Sequence, residues 1–245
     1  MLEVPHTVLF DLRGTLIDPS TGWKLTDEQR IRFLRAGGAR VSEVQLRVTL
    51  GRAIADVNAL TFRRREYFEQ DRLVLERAAA LSGLEVPAAK LDAFEGWRNR
   101  AFARAVRAFP DAEPTLRQLR ARGVAVGCVA DGGREWTRRL LARAGLLALL
   151  DVVVASEESG EVKATGVALR LACARLHAEP ARVLFVGERL DKDVEMAEAA
   201  GAQALLLDRP GRRLDRSKTI SSLTEILDRP LAAREEEAWR KTATT

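Results

Sequence analysis

The stretch Thr7–Thr15, TVLFDLRGT, decides the fold of this chain. Its apolar residues, Val8 to Phe10, predict a short buried strand that ends at Asp11. Gly14 then favours a turn. A carboxylate that directly follows a buried strand suggests a ligand site, because open parallel sheets bind ligands beyond the carboxyl ends of their strands.

Downstream of Phe109-Pro110-Asp111, short apolar runs alternate with segments of helical periodicity. This pattern predicts strands at 124–129, 152–155, 183–186 and 204–207, and helices at 114–122, 134–144, 166–176 and 191–200. Strands rich in Val, Leu and Ala that alternate with helices indicate a parallel sheet covered on both faces. The predicted fold class is therefore α/β, a doubly wound parallel sheet.

A helical segment separates the first strand from the others. Apolar residues recur at helical spacing there, as at Val41, Val44, Leu46 and Val48. We therefore predict an α/β core formed by 1–19 and 109–228, an inserted helical cap at 20–108, and a C-terminal helix or tail at 229–245. Basic residues outnumber acidic ones in this cap, which would attract an anionic substrate. The run Arg63-Arg64-Arg65 is also compatible with a protein partner, a nucleic acid or a solvated helical face.

The composition excludes several classes of protein. Of 245 residues, 47% are hydrophobic, which is too many for a mainly disordered chain. No apolar run approaches the roughly 20 residues of a membrane span. The net charge of +5 is too mild to predict nucleic-acid binding. Two cysteines provide neither a disulfide framework nor a cysteine zinc site, so we expect a cytoplasmic protein.

Polar residues follow four of the predicted strands. They are Asp11 after the first, Ala130-Asp131-Gly132 after the second, Lys163 after the third, and Gly187-Glu188 with Asp193 after the fourth. Because the carboxyl ends of parallel strands share one edge of the sheet, we expect these residues to converge. Carboxylates and a lysine at one rim suit a hard cation and a phosphate group.

In this order, these residues resemble the four motifs of the haloacid dehalogenase (HAD) superfamily. Asp11–Thr15 is similar to D-x-D-G-T, 130–132 to S-N-G, 160–163 to G-x-x-K, and 187–193 to G-D followed by a second Asp. The resemblance extends from about Thr7 to Asp208, and the helical segment resembles a small cap. It implies a phosphatase with Asp11 and Lys163 as catalytic residues and Mg²⁺ held by Asp11, Glu188 and Asp193. Arg13, Asp131 and Gly132 would then contact a small phosphorylated substrate.

Three residues depart from the family pattern. Arg13 replaces the acid/base Asp, Ala130 replaces a phosphate-binding Ser or Thr, and Glu188 replaces an Asp. Loss of a general acid costs roughly 10²–10⁴ in rate, and loss of one oxyanion donor on the order of 10²–10³. Glu188 reaches one methylene further than Asp, so we expect weak Mg²⁺ binding or none. Arg13 is compatible with pairing to Asp11, replacing the metal's charge, or gripping an anion.

Three functions follow from these residues. The first is a HAD-like hydrolase of phosphatase type, with an aspartyl-phosphate intermediate and reduced or altered activity. The second is a non-catalytic protein that binds an anionic ligand or a partner through the same cleft. The third, weaker alternative is a dehalogenase-type hydrolase, a branch that also lacks the second Asp of the first motif.

Overall fold

The computed structural model describes residues 4–61, 70–211 and 218–233. The chain forms two compact units: one takes in the residues up to Asp18 and from Arg107 onward, and the other is Pro19–Val106. The first unit contains the sheet and the second the inserted helices. The run Arg63-Arg64-Arg65 and residues 234–245 of the predicted C-terminal helix or tail lie outside the described residues.

Four helices separate the first two strands from the other strands along the chain. The helices and strands are, in chain order, β1 (Thr7–Phe10), β2 (Ile17–Asp18), α1 (Ser20–Ala36), α2 (Glu43–Thr61), α3 (Gln70–Leu81), α4 (Ala88–Ala105), β3 (Arg107–Ala108), α5 (Ala112–Ala121), β4 (Ala125–Ala130), α6 (Arg134–Arg143), β5 (Val152–Ala155), α7 (Val167–Arg175), β6 (Val183–Gly187), α8 (Glu195–Ala199), β7 (Gln203–Leu207) and β8 (Thr219–Ile220).

Six strands form one parallel sheet in the order β5-β4-β1-β6-β7-β8. Strand β1 lies between β4 and β6, with Phe10 aligned to Cys128 on one side and to Val186 on the other. The carboxyl ends of these three strands therefore adjoin at one edge of the sheet. This arrangement confirms the predicted α/β class with a doubly wound parallel sheet.

Apolar side chains project from both faces of the sheet and pack against helices, so the sheet is buried. Leu9 and Phe185 pack with residues of α7 and α8 in one apolar cluster, which includes Leu169 and Ala197. Alternate residues of a strand point to opposite faces, so Val8 and Phe10 lie on the other side of β1. There α5 buries Leu116 and Leu119 completely and packs on β4.

Three short strands were not predicted from the sequence. β8 adds to the edge of the sheet beside β7, while β2 and β3 form a separate antiparallel pair in which Ile17 is aligned with Ala108. A strand of two residues is too short to show an alternating pattern. The pairing of β2 with β3 places Arg107 and Ala108 in the unit that contains the sheet, whereas the predicted cap, 20–108, had included them.

The inserted unit has an apolar core of its own. This core is contributed by α1 to α4 and contains Leu34, Leu46 and Leu75. Not every apolar residue at helical spacing in α2 belongs to this core, because Val44 is 71% and Val48 is 68% exposed. In the described part of the chain, no helix combines the length and the apolar character that crossing a bilayer requires.

Candidate active site

Asp11 lies directly beyond β1, at the centre of the sheet edge. Its backbone N–H donates to the carbonyl of Val186 in the neighbouring strand β6 at 2.9 Å. Its carboxylate accepts a hydrogen bond from the Thr15 hydroxyl at 3.3 Å and another from the ammonium of Lys163. The sequence alone had not given Thr15 a role. With 8% of its surface exposed, Asp11 is largely buried.

Lys163 joins Asp11 to Asp193. Its Nζ atom contacts Asp11 and also donates to Asp193 Oδ1 at 2.5 Å. The side chain is 4% exposed, and its Nζ lies 5.7 Å from the centre of the Phe185 ring. Burial alone would lower the pKa of the ammonium, but the charges of Asp11 and Asp193 outweigh it and hold this pKa above its ordinary value.

Asp193 lies in a π-helical turn, Leu190–Val194, rather than in the α-helix predicted over 191–200. Its backbone N–H donates to the carbonyl of Arg189 at 3.0 Å, and its Oδ2 accepts from the N–H of Arg189 at 2.8 Å. The N–H of Val194 donates to the same carbonyl at 3.3 Å, which is the i→i−5 bond of a π-helical turn, and α8 begins only at Glu195. The Asp193 carboxyl lies so close to Gly187 that a Cβ there would overlap it.

The Glu188 carboxyl lies against the loop that follows β1. It occupies the space that a side chain on Gly14 would fill, and Gly14 has a φ of +84°, which favours glycine. Although Glu188 as a whole is exposed, its carboxyl faces protein on this side. Partial desolvation there, together with the charges of Asp11 and Asp193, raises the pKa of Glu188 to about 7.

The residues predicted to bind a metal do not form a metal site in this arrangement. Carboxylate oxygens are the ligands that Mg²⁺ prefers, and Asp11, Glu188 and Asp193 supply them. Lys163, however, lies between Asp11 and Asp193 and contacts both. Within the described ranges, no three acidic, histidine or cysteine side chains are grouped closely enough to hold a metal ion. As placed, these side chains do not fit the Mg²⁺ that the resemblance implied.

Asp131 and Gly132, predicted to contact substrate, connect loops at this edge of the sheet. Asp131 Oδ1 accepts from the backbone N–H of Lys163 at 2.7 Å, and Oδ2 lies 3.7 Å from the Lys192 ammonium. The N–H of Gly132 donates to the Ser156 hydroxyl at 3.1 Å. With its side chain 6% exposed, Asp131 fixes the Lys163 loop, and its contact with a substrate stays a prediction. The sequence alone did not indicate Lys192 and Ser156, because neither belongs to a recognisable motif.

The two residues that depart most from the family pattern lie at the same edge of the sheet. Ala130 ends β4 and is 2% exposed, so this position is buried and has no side-chain hydroxyl. Arg13 is half-buried, and its backbone forms an isolated bridge with Ile17. Lys163 is in contact with Asp11. Which of its three predicted roles Arg13 has stays a prediction.

The arrangement places a carboxylate, a lysine and a second carboxylate where a ligand of a doubly wound sheet would bind. A carboxylate positioned by a lysine and a hydroxyl can act as a nucleophile toward an electrophilic centre. The same lysine can neutralise negative charge on an incoming anion. Covalent catalysis on an anionic substrate is therefore within reach of these residues.

This chain matches known proteins in sequence and in fold. A family model described as haloacid dehalogenase-like hydrolase matches residues 5–201. The glyceraldehyde 3-phosphate phosphatase of Methanopyrus kandleri is 33% identical over 201 residues, which is 79% of this chain and 80% of that protein.

Two solved structures share the fold over most of their length. A HAD phosphatase from Thermococcus onnurineus has a TM-score of 0.69 and 24% identity, covering 91% of this chain and 96% of its own. The L-2-haloacid dehalogenase of Xanthobacter autotrophicus has a TM-score of 0.68 and 20% identity, covering 93% and 100%. At these identities the two structures support the fold and not a choice between their reactions.

Proposed function

Since the chain belongs to the haloacid dehalogenase-like hydrolases, we propose that it is a phosphatase-type hydrolase that acts on a small phosphorylated metabolite through Asp11. The observation that carries this proposal is the contact of one buried lysine, Lys163, with both Asp11 and Asp193 at the carboxyl end of the central strands. The relative from Methanopyrus kandleri, named for a small phosphate ester, supports this class of substrate.

The proposed reaction has two steps. A carboxylate oxygen of Asp11 forms a bond to phosphorus while the bond from phosphorus to the leaving oxygen breaks, and the leaving group departs with that electron pair. Water then attacks the aspartyl-phosphate, which releases inorganic phosphate and restores the carboxylate. Lys163 contacts Asp11 before the reaction and offsets the negative charge of a phosphoryl group brought next to it.

Turnover is expected to be slow, because two groups that the reaction uses are replaced. A guanidinium does not give up a proton near neutral pH, so Arg13 cannot protonate the leaving oxygen. Ala130 offers no hydroxyl to a phosphoryl oxygen. A substrate with a good leaving group needs little protonation and should react best.

The replacement of the acid by Arg13 favours a second candidate, a non-catalytic protein that binds an anionic ligand through this site. Arg13 and Lys163 bring two cations to the loops beside Asp11. A guanidinium binds phosphate as a planar fork. This candidate predicts binding of inorganic phosphate without turnover.

An aryl phosphate assay distinguishes the two candidates. Asp11→Asn should abolish hydrolysis, whereas Asp208→Asn, a matched change beyond β7, which lies two strands from β1, should preserve it. Mass spectrometry of an acid-quenched digest should detect phosphate on the peptide that contains Asp11. Hydrolysis that survives in Asp11→Asn would contradict the proposal. Phosphate binding in calorimetry, with no hydrolysis, would establish the second candidate.

A further inference from the structure

Arg209 forms a clamp at the base of the Asp11 loop. It follows β7, and its guanidinium donates two hydrogen bonds to the Asp111 carboxylate, at 2.9 and 3.0 Å. Its plane is also close to the Phe109 ring, with Cζ 3.7 Å from the ring centre. Such a two-pronged ion pair with ring stacking fixes a guanidinium more firmly than a single contact does.

The clamp reaches the loop that carries Asp11. Arg209 Nη2 donates to the carbonyl of Thr15 at 2.8 Å, and Nε donates to the carbonyl of Gly14 at 3.4 Å. The side chain of Thr15 in turn bonds to the Asp11 carboxylate. One guanidinium thus connects Asp111 to the residues that position Asp11.

Asp111 is itself fixed in place. Besides Arg209, its carboxylate accepts from the Ser222 hydroxyl at 3.0 Å and from the backbone N–H of Leu223 at 2.9 Å. Burial alone would raise the pKa of Asp111, but the bonds from Arg209 and Leu223 outweigh it and lower this pKa below its ordinary value. The carboxylate is therefore a firm anchor for the guanidinium.

We propose that Arg209 is a positioning residue that holds the backbone of Gly14 and Thr15 so that Asp11 faces its substrate. This inference rests on the proposed function for its catalytic consequence, but the effect on the loop is independent of activity. Lysine keeps the charge yet cannot bond to Asp111 and to two carbonyls in one plane. Arg209→Lys should therefore loosen the loop without removing the cation.

The chain offers a matched control in Arg120. This residue also bonds a carboxylate, Asp151 Oδ1 at 2.6 Å, and a carbonyl, that of Leu149 at 3.1 Å. The contacts lie at the amino end of β5, away from Asp11. Arg120→Lys therefore makes the same exchange at a guanidinium that bonds a carboxylate and a carbonyl, without touching the Asp11 loop.

Amide hydrogen exchange of the full chain tests the effect on the loop. Relative to the parent, Arg209→Lys should increase exchange in the peptide that spans 11–17, and Arg120→Lys should leave that peptide unchanged. Equal protection of this peptide in all three proteins would overturn the inference. This readout needs no turnover, so it decides the role of Arg209 even if the proposed function fails.

Kinetics with an aryl phosphate tests the catalytic consequence. A small misplacement of a reacting group costs on the order of 10²-fold, so we expect kcat of Arg209→Lys to fall by about that factor with KM nearly unchanged. Arg209→Ala should regain part of its kcat when a free guanidinium compound is added. A kcat equal to that of Arg120→Lys, or no rescue, would reduce Arg209 to a structural residue and overturn the positioning role.

Discussion

The ammonium of Lys163 lies 2.5 Å from Asp193, a residue 30 positions further along the chain, and it contacts Asp11 with the same atom. Two buried carboxylates thus share one cation. Such an arrangement is stable only while the cation is present, because each carboxylate loses hydration on burial. Lys163 therefore contributes to stability as well as to the proposed chemistry.

Replacement of this lysine should be costly. Removing one partner of a buried ion pair costs roughly 3–5 kcal/mol, so Lys163→Met should lower the free energy of unfolding by about that amount in urea titrations at pH 7. The loss should shrink in acid, where the two carboxyls can take up protons. Asp193→Asn in the Lys163→Met background should restore part of the stability.

A surface lysine supplies the control for this measurement. Lys218 pairs with Glu198 at 2.6 Å but is 64% exposed, and exposed pairs contribute about 0–1 kcal/mol. If Lys163→Met unfolds at the same urea concentration as Lys218→Met, the ion pair of Lys163 is not a stabilising element. Lys163→Arg serves as a second variant that keeps the charge.

Glu188 should make stability depend on pH. Its folded-state pKa, raised to about 7, exceeds the ordinary value of a glutamate, so the folded protein binds the proton more tightly than the unfolded chain. The resulting stabilisation is full below pH of about 4.5 and is lost as the pH rises through about 7. Because the residue is exposed, solvent screens the effect, and we expect about 1 kcal/mol, or roughly 2–4 °C in Tm.

Thermal melts of Glu188→Gln measure this dependence. The variant should melt above the parent at pH 8, where the parent carries the charge, and close to it at pH 5. Glu161→Gln, at an exposed position before Lys163, should leave the parent's profile unchanged. A parallel loss of stability at both pH values would show that Glu188 has no titration coupled to folding in this range.

The sequence was sufficient to predict the parallel sheet, because β1, β4, β5, β6 and β7 form short apolar runs that alternate with helical segments. It was also sufficient to predict that Asp11, Lys163 and Asp193 share one edge, since parallel strands align their carboxyl ends. The roles assigned to these residues rest on family resemblance.

The remaining features depend on contacts that no local pattern encodes. The direction of the Asp131 side chain is set by the N–H of Lys163, 32 positions away. Arg209 reaches Gly14 and Thr15 from the far end of the chain. Only the folded topology brings these groups together.

Magnesium binding should be weak in the natural protein. Lys163 contacts two of the three predicted ligands, and Arg13 adds a positive charge to the same loop as Asp11. Arg13→Asp replaces that charge with a carboxylate, so calorimetry should show stronger Mg²⁺ binding than in the parent. Arg13→Gln, which removes the charge without adding a ligand, should give an intermediate affinity. Tight binding to the parent that Arg13→Asp leaves unaltered would contradict this reasoning.

Restoring the two missing groups should restore phosphatase activity. Arg13→Asp supplies an acid for the leaving oxygen but leaves the phosphoryl oxygens without a donor at position 130. Ala130→Ser supplies that donor but keeps Arg13 in place of the acid. Residues of one catalytic unit act non-additively, so the double variant should hydrolyse an aryl phosphate faster than the two single gains combined, with the acid alone worth roughly 10²–10⁴ on a substrate that needs protonation.

The same double variant also separates an impaired site from an intact one. Adding Asp11→Asn to it must abolish the regained hydrolysis, because Asp11 is the proposed nucleophile. An alkyl phosphate should gain more than an aryl phosphate, since only its leaving oxygen requires a proton. If the natural protein already hydrolyses both substrates rapidly and loses this in Asp11→Asn, Arg13 and Ala130 do not impair the site. The acid would then come from another residue. Asp131 would be tested first, although its carboxylate already bonds to the N–H of Lys163.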